Sequence, residues 1–121
     1  MTNHKINPHD IEIVDLFCGI GGLTNGLISA GLNVVAGIDN DKSCEYGYEK
    51  NNPSKFIHEN IQDVTSEEIL ELFSNSSDGV NVLVGCAPCQ PFSKLNLKKV
   101  TEHQLQPIEK FAQLIDETKP D

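Results

Sequence analysis

Apolar positions along this chain fall into two alternating rhythms. Short β-rich runs read as strands of a buried sheet: Glu12 to Phe17 (EIVDLF), Asn33 to Asp39 (NVVAGID), about Lys55 to His58, and Val80 to Cys86 (VNVLVGC). Between them the spacing lengthens to that of a helix face. Leu23, Gly26, Leu27 and Ala30 lie three and four apart, and Gly31 ends that segment as a C-terminal glycine would. Residues from about Asp41 to Asn51 predict a second helix, broken by Asn52-Pro53. Thr65 and Glu68 have capping-box spacing ahead of Ile69, Leu70, Leu72 and Phe73, which predicts a third. Asn75 to Gly79 reads as a turn. From Ala87 to about Gln104 prolines and lysines follow no period, so a long loop is expected, of a length more often functional than idle. A last amphipathic helix is predicted with Leu105, Ile108, Phe111, Ala112 and Ile115 on one face.

Strand and helix alternate throughout, which predicts right-handed βαβ units and a doubly wound, mostly parallel α/β sheet. The first ten residues read as a polar arm, and residues 11–121 as part of one domain. The last residues fall where the next strand of the alternation is due, so the expectation is a sheet truncated after about four strands.

Composition narrows the classes. With 121 residues the chain is long enough for one modest domain. No tryptophan and one methionine leave an aliphatic core. Nine basic against eighteen acidic residues give a formal charge of −9, a poor balance for holding nucleic acid unaided. No apolar run approaches the ~20 residues needed to span a bilayer, and MTNHKINPHD lacks the apolar core of a signal peptide. A cytoplasmic setting with reduced cysteines and no membrane partner is expected. Four cysteines do not suggest a disulfide framework.

The chemistry gathers at the strand ends. In DLFCGIGG, Gly19, Gly21 and Gly22 allow a sharp turn with backbone N–H groups and a helix N-terminus aimed at a ligand. This is not the dinucleotide fingerprint, which would need glycine at Thr24, nor a P-loop. Asp39 ends the second strand twenty residues beyond Gly19, the place of a carboxylate that accepts from a ribose diol. A nucleoside-bearing cofactor across the strand ends is one reading; a tight turn and a helix-capping acid is the other. Asn60-Ile61 at the third turn offers an amide oxygen to an adenine amino group, or is plain loop. Cys86 and Cys89, in VLVGCAPCQPFS, could be a redox pair, half a zinc site, or a packed cysteine beside a nucleophile.

DLFCGIGGLTNG, GIDND, ENIQDV and GCAPCQPFS, in this order and spacing, resemble the first four motifs of the cytosine-5 DNA methyltransferases. The likeness covers Ile11 to Ser93 closely and fades afterwards. It implies a Rossmann-like S-adenosylmethionine-dependent methyltransferase sheet, of which this chain is the N-terminal half. It further implies that Phe17, Gly19, Gly21, Gly22 and Leu23 hold the methionine part and adenine of S-adenosylmethionine. Asp39 would bind the ribose hydroxyls and Asn40 would lie beside the adenine. Asn60 stands where the family usually has aspartate, with Ile61 next to it. Pro88 would shape the pocket where the target cytosine meets the methyl donor, and Cys89 would be the nucleophile. No metal is implied.

The chemistry explains the cysteine. Carbon 5 of cytosine is too poor a nucleophile to take a methyl group directly. A thiolate added to carbon 6 makes carbon 5 enamine-like, and loss of the carbon 5 proton later expels the thiolate. The thiol must be partly deprotonated, and the base must flip out of double-stranded DNA to reach it. The resemblance thus implies a bacterial cytoplasmic modification enzyme of the restriction-modification kind. Lys94, Lys98 and Lys99 either meet phosphates or are surface lysines. The usual Asp-x-Arg element is replaced by something like Glu102-His103-Gln104. A Glu-Asn-Val element, later arginines and a target-recognition domain are absent from these residues. The chain alone is therefore expected to be inactive, a fragment or one part of a split enzyme with a complementing C-terminal polypeptide. A tRNA-directed relative, a non-catalytic binding fragment, a zinc module and a thioredoxin-like protein are the alternatives. Cys86, Cys18 and Cys44 are expected to be structural, Cys86 by packing in the core.

Overall fold

The computed structural model describes residues 5–74, 78–88 and 101–121. Four parallel strands, β1 (Ile11–Leu16), β2 (Asn33–Asp39), β3 (Lys55–His58) and β4 (Val80–Gly85), form one sheet in the order β3-β2-β1-β4. The chain lays β2 and β3 to one side of β1 and then crosses to place β4 on the other. This reversal opens a crevice at the carboxyl ends of β1 and β4, where open α/β sheets bind ligands.

Register sorts the side chains into two layers, because strand residues alternate faces. Leu16 is level with Ile38, and Ile38 with Ile57. On that face Val14, Leu16 and Ile38 join Val64, Ile69 and Leu114 in the larger core, under α3 (Ser66–Leu72) and α4 (Glu102–Thr118). Each fully buried aliphatic side chain there stabilises by about 1.5–3 kcal/mol. On the opposite face Asp15 is level with Gly37, and Gly37 with Phe56. That side meets α1 (Gly22–Ser29) and α2 (Glu45–Asn51). Tyr48 of α2 is fully buried, packs on Phe56 with ring centroids 5.7 Å apart, and lies flat on the sheet only because residue 37 has no side chain. A Cβ at Gly37 would come within 2.6 Å of the tyrosine hydroxyl oxygen.

Polar groups in this second layer are satisfied in a chain. Thr24 Oγ1 donates to Asp15 Oδ2 at 2.7 Å, lies 3.1 Å from the Tyr48 hydroxyl, and that hydroxyl lies 2.8 Å from Ser54 Oγ. Burial is the main reason the Asp15 carboxyl is held above its ordinary range, partly offset by the Thr24 bond. The helix starts follow local chemistry. Asp41 caps a 3-10 turn over Lys42–Cys44 that leads into α2, so the predicted second helix is α-helical only from Glu45. Thr65 and Glu68 close the predicted capping box of α3, with Thr65 N–H donating to Glu68 Oε2 at 2.9 Å.

Three expectations need correction. The last helix begins at Glu102, inside the stretch read as loop, where the Thr101 N–H donates to Gln104 Oε1 at 2.8 Å. Its buried stripe is also rotated. Leu114 is 0% exposed, whereas Ile108 is 37% and Ile115 41% exposed. The face in contact runs through Pro107, Phe111, Leu114 and Thr118, at i, i+4, i+7 and i+11. Thr118 can sit inside because its hydroxyl donates to the Leu114 carbonyl at 2.7 Å. Finally, Cys86 is not core. The strand ends at Gly85, pressed against Leu16 and Phe111, and Cys86 is exposed just beyond it.

Candidate cofactor site

All four strands of the sheet deliver residues to one cavity of about 390 Å³ at their carboxyl ends. Such a volume lies within the ~300–1,000 Å³ of small-molecule sites. Phe17 follows β1, Asp39 ends β2 with Asn40 behind it, Asn60 and Ile61 follow β3, and Pro88 follows β4. These are six of the ten cofactor residues expected from sequence. The other four, Gly19, Gly21, Gly22 and Leu23, form the adjoining turn and the start of α1 without lining the cavity. Cys89, Lys94, Lys98 and Lys99 lie outside the described residues.

The glycine turn is tied to the second strand through Asp39. Its Oδ2 accepts from the Gly19 N–H and its Oδ1 from the Asp41 N–H, both at 2.9 Å. A carboxylate has about four lone-pair sites, so two remain for hydroxyl groups of a ligand. Gly19 and Gly21 have φ of 54° and 90°, left-handed values that glycine adopts without cost. Gly21 has a second constraint: a Cβ there would meet Asn52 Nδ2 at 2.6 Å and the Tyr48 ring at 2.7 Å. The turn is thus pressed down onto α2.

Phe17 is less ordinary. It is a non-glycine residue at φ 56°, a conformation costing about 1–3 kcal/mol. Its ring meets Phe111 of α4 edge-on, centroids 6.4 Å apart and planes at 83°. The packing fixes an aromatic wall at the cavity's inner end. On the outer side, His58 Nε2 donates to the Asn40 carbonyl at 3.0 Å and steadies the loop after β2. Asn60 caps the 3-10 turn Ile61–Asp63, its Oδ1 accepting from the Gln62 N–H at 3.0 Å.

Sequence reasoning did not find Glu59, Gln62, His103, Gln106 and Pro107, which also line the cavity. The last three come from the first turns of α4. The Thr101–Gln104 spacing was the available signal that a helix begins there. Cys86 lines the cavity too. Cys18 has its thiol pushed up to about 12, by burial first and then by Asp15 and Asp39, so it stays a neutral, packed thiol. Among the described residues no three His, Cys, Asp or Glu side chains gather as a metal site requires, and no helix is long and apolar enough to cross a membrane.

Comparison with known proteins places this geometry. The sequence pattern of the C-5 cytosine-specific DNA methylase family matches residues 11–121. Type II methylase M.HgiDII of Herpetosiphon aurantiacus is 49% identical over 109 residues, covering 90% of this chain and 30% of that protein. Type II methyltransferase M.XorII of Xanthomonas oryzae pv. oryzae is 29% identical, covering 88% of this chain and 26% of its own length. A crystal structure described as a prophage-encoded DNA modification methyltransferase of E. coli superposes with a TM-score of 0.71 at 28% identity, covering 91% of this chain and 30% of that one. The Dnmt2 methyltransferase of S. pombe, at 21% identity and a TM-score of 0.62 over 87% of this chain and 31% of its own, shares the fold. The chain spans about 30% of the length of the relative M.HgiDII. By sequence and by fold the chain belongs to the C-5 cytosine-specific DNA methylase family.

Proposed function

We propose that this chain carries the cofactor half-site and the nucleophile of an enzyme that methylates carbon 5 of cytosine in DNA. The observation that carries this is convergence: Phe17, Asp39, Asn40, Asn60, Ile61 and Pro88, from four separate strand ends, line one cavity. The residues fit S-adenosylmethionine in kind. Asp39 keeps acceptor capacity for the ribose hydroxyls, Phe17 and Ile61 offer apolar walls to the base, and Gly19, Gly21, Gly22 and Leu23 bring backbone close to the amino-acid end. When bound, the cofactor supplies an electrophilic methyl group on a positively charged sulfur.

Cys89 directly follows Pro88 in sequence, and we assign it the attack on carbon 6 of a cytosine flipped out of double-stranded DNA. Its thiolate forms the sulfur–carbon bond, which raises electron density at carbon 5. After methylation, removal of the carbon 5 proton returns the electron pair to the ring and expels the thiolate. Substrate recognition falls to sequence beyond the share of the relatives that this chain spans. Transfer therefore draws on that further sequence, on the same or a complementing polypeptide, in a bacterial cytoplasm if this is a modification enzyme.

The test uses S-adenosylmethionine labelled in the methyl group, with cytosine-containing duplex DNA and tRNA offered side by side. The chain alone is expected to transfer no label. Supplied with the C-terminal region of a related methylase, it is expected to label DNA, and C89S is expected to abolish that. Label in tRNA alone, or full labelling by C89S, would overturn the proposal.

A further inference from the structure

The cofactor cavity does not stand alone. A second recess of about 200 Å³ adjoins it, lined by Gln62, Gln106, Glu109, Lys110 and Gln113. Gln62 and Gln106 line both spaces, so the two meet at those glutamines. The recess is framed where the 3-10 turn Ile61–Asp63 packs against α4. Gln106, Glu109, Lys110 and Gln113 stand at i, i+3, i+4 and i+7, one stripe of that helix beside its buried face. Every described side chain lining the recess is polar or charged. Its place relative to a ligand follows from the cofactor reading above, on which the assignment rests. With the amino-acid end at the glycine turn and the ribose at Asp39, the Gly19–Asp39 bond keeps those two ends together. The base is then left on the far side, toward Asn60, Ile61, Gln106 and Pro107, its 6-amino edge at the turn that Gln62 continues.

We propose that the recess takes a polar extension carried on that edge, so that the chain binds adenosyl ligands whose 6-amino nitrogen bears a short aminoalkyl group. The glutamine amides offer both donors and acceptors to a chain leaving the base. Charge favours an ammonium at its tip. Glu109 lines the recess, and a second carboxylate, Glu117, accepts from Gln113 Nε2 at 2.6 Å. Against these stands one cation among the described lining residues, Lys110. An alkylated 6-amino nitrogen keeps one N–H, so the base retains a donor of its own beside the extension.

Calorimetry on the 121-residue chain tests it with S-adenosylhomocysteine and two derivatives of equal bulk, bearing 2-aminoethyl or propyl on the 6-amino nitrogen. The aminoethyl compound is expected to bind within about threefold of the parent, and about two- to fivefold more tightly than the propyl compound, the range of an exposed charge pair. E109Q should remove that margin and leave the parent's affinity unchanged. Q113W should fill the recess and weaken both extended compounds by roughly tenfold or more, with the parent unaffected. A thermal melt of each variant confirms that the fold is retained. If the unsubstituted chain binds the parent but neither extended compound, the proposal falls and the cofactor reading stands. It falls equally if Q113W binds the extended compounds as tightly as the unsubstituted chain does, or if E109Q keeps the margin. Absence of parent binding by the unsubstituted chain overturns the cofactor reading, and this assignment with it.

Discussion

Asp39 serves the fold and the ligand with the same carboxylate. It anchors Gly19 and Asp41 through backbone bonds, and it keeps lone pairs for a diol. D39A should therefore lower stability by about 1–3 kcal/mol, from the two N–H groups left without their acceptor, and weaken cofactor binding by more than tenfold. Denaturant titration and equilibrium binding on the same sample read the two effects. Asp15, one layer below, makes a prediction about pH. Its folded-state pKa is raised above 3.8 by burial. A raised acid stabilises the fold fully below its unfolded pKa, and that contribution is lost as pH rises through the folded pKa. D15N should flatten this part of the stability profile from about pH 4 upward, while keeping an oxygen for the Thr24 hydroxyl. An unchanged slope in denaturation at stepped pH would contradict it. Asp39 was legible because a carboxylate at a strand end declares its chemistry, and Phe17 through the resemblance of the motif that contains it. Glu59 was not, because a glutamate in ENIQDV looks like surface until the cavity puts it on a wall. That the Asn60 oxygen also caps the Gln62 N–H was not legible, because nothing in the sequence fixes how the amide is turned.

At the scale of elements, strands were read within a residue or two and the helices less well. Alternation has a period of two and fixes the faces, whereas a helical stripe can be misread by one position and turn by about 100°. That happened in α4. The stripe was drawn through Ile108 and Ile115, whereas the buried positions are Leu114 and Thr118. L114A should cost about 2–5 kcal/mol as a core truncation, while I115A should stay near 0.5 kcal/mol as a surface change. Equal costs would mean the helix packs by the other face. The contact between β2 and α2 makes a similar demand. A methyl at residue 37 must displace the Tyr48 hydroxyl, so G37A should destabilise by about 1–3 kcal/mol through overpacking. Because Tyr48 also presses on the Gly21 turn, the same variant should weaken cofactor binding.

Taken whole, the molecule pairs a cofactor-sized cavity with a charge of −9. A duplex surrounded by its own phosphates gains little from such a surface. The chain by itself is expected to leave duplex DNA unshifted in a gel-mobility assay at physiological salt; tight retention would contradict this. Alternating strands and helices made the fold class readable in advance, and the quoted motifs made the family readable. The convergence of four strand ends was implied by the resemblance and not by the alternation, since it depends on β4 crossing to the far side of β1. The central claim is that this convergence is a site for S-adenosylmethionine. Equilibrium dialysis of the labelled cofactor against the chain and against D39A tests it most directly. The account predicts saturable binding at one site per chain, reduced more than tenfold by D39A; no binding, or equal binding by both proteins, would contradict it.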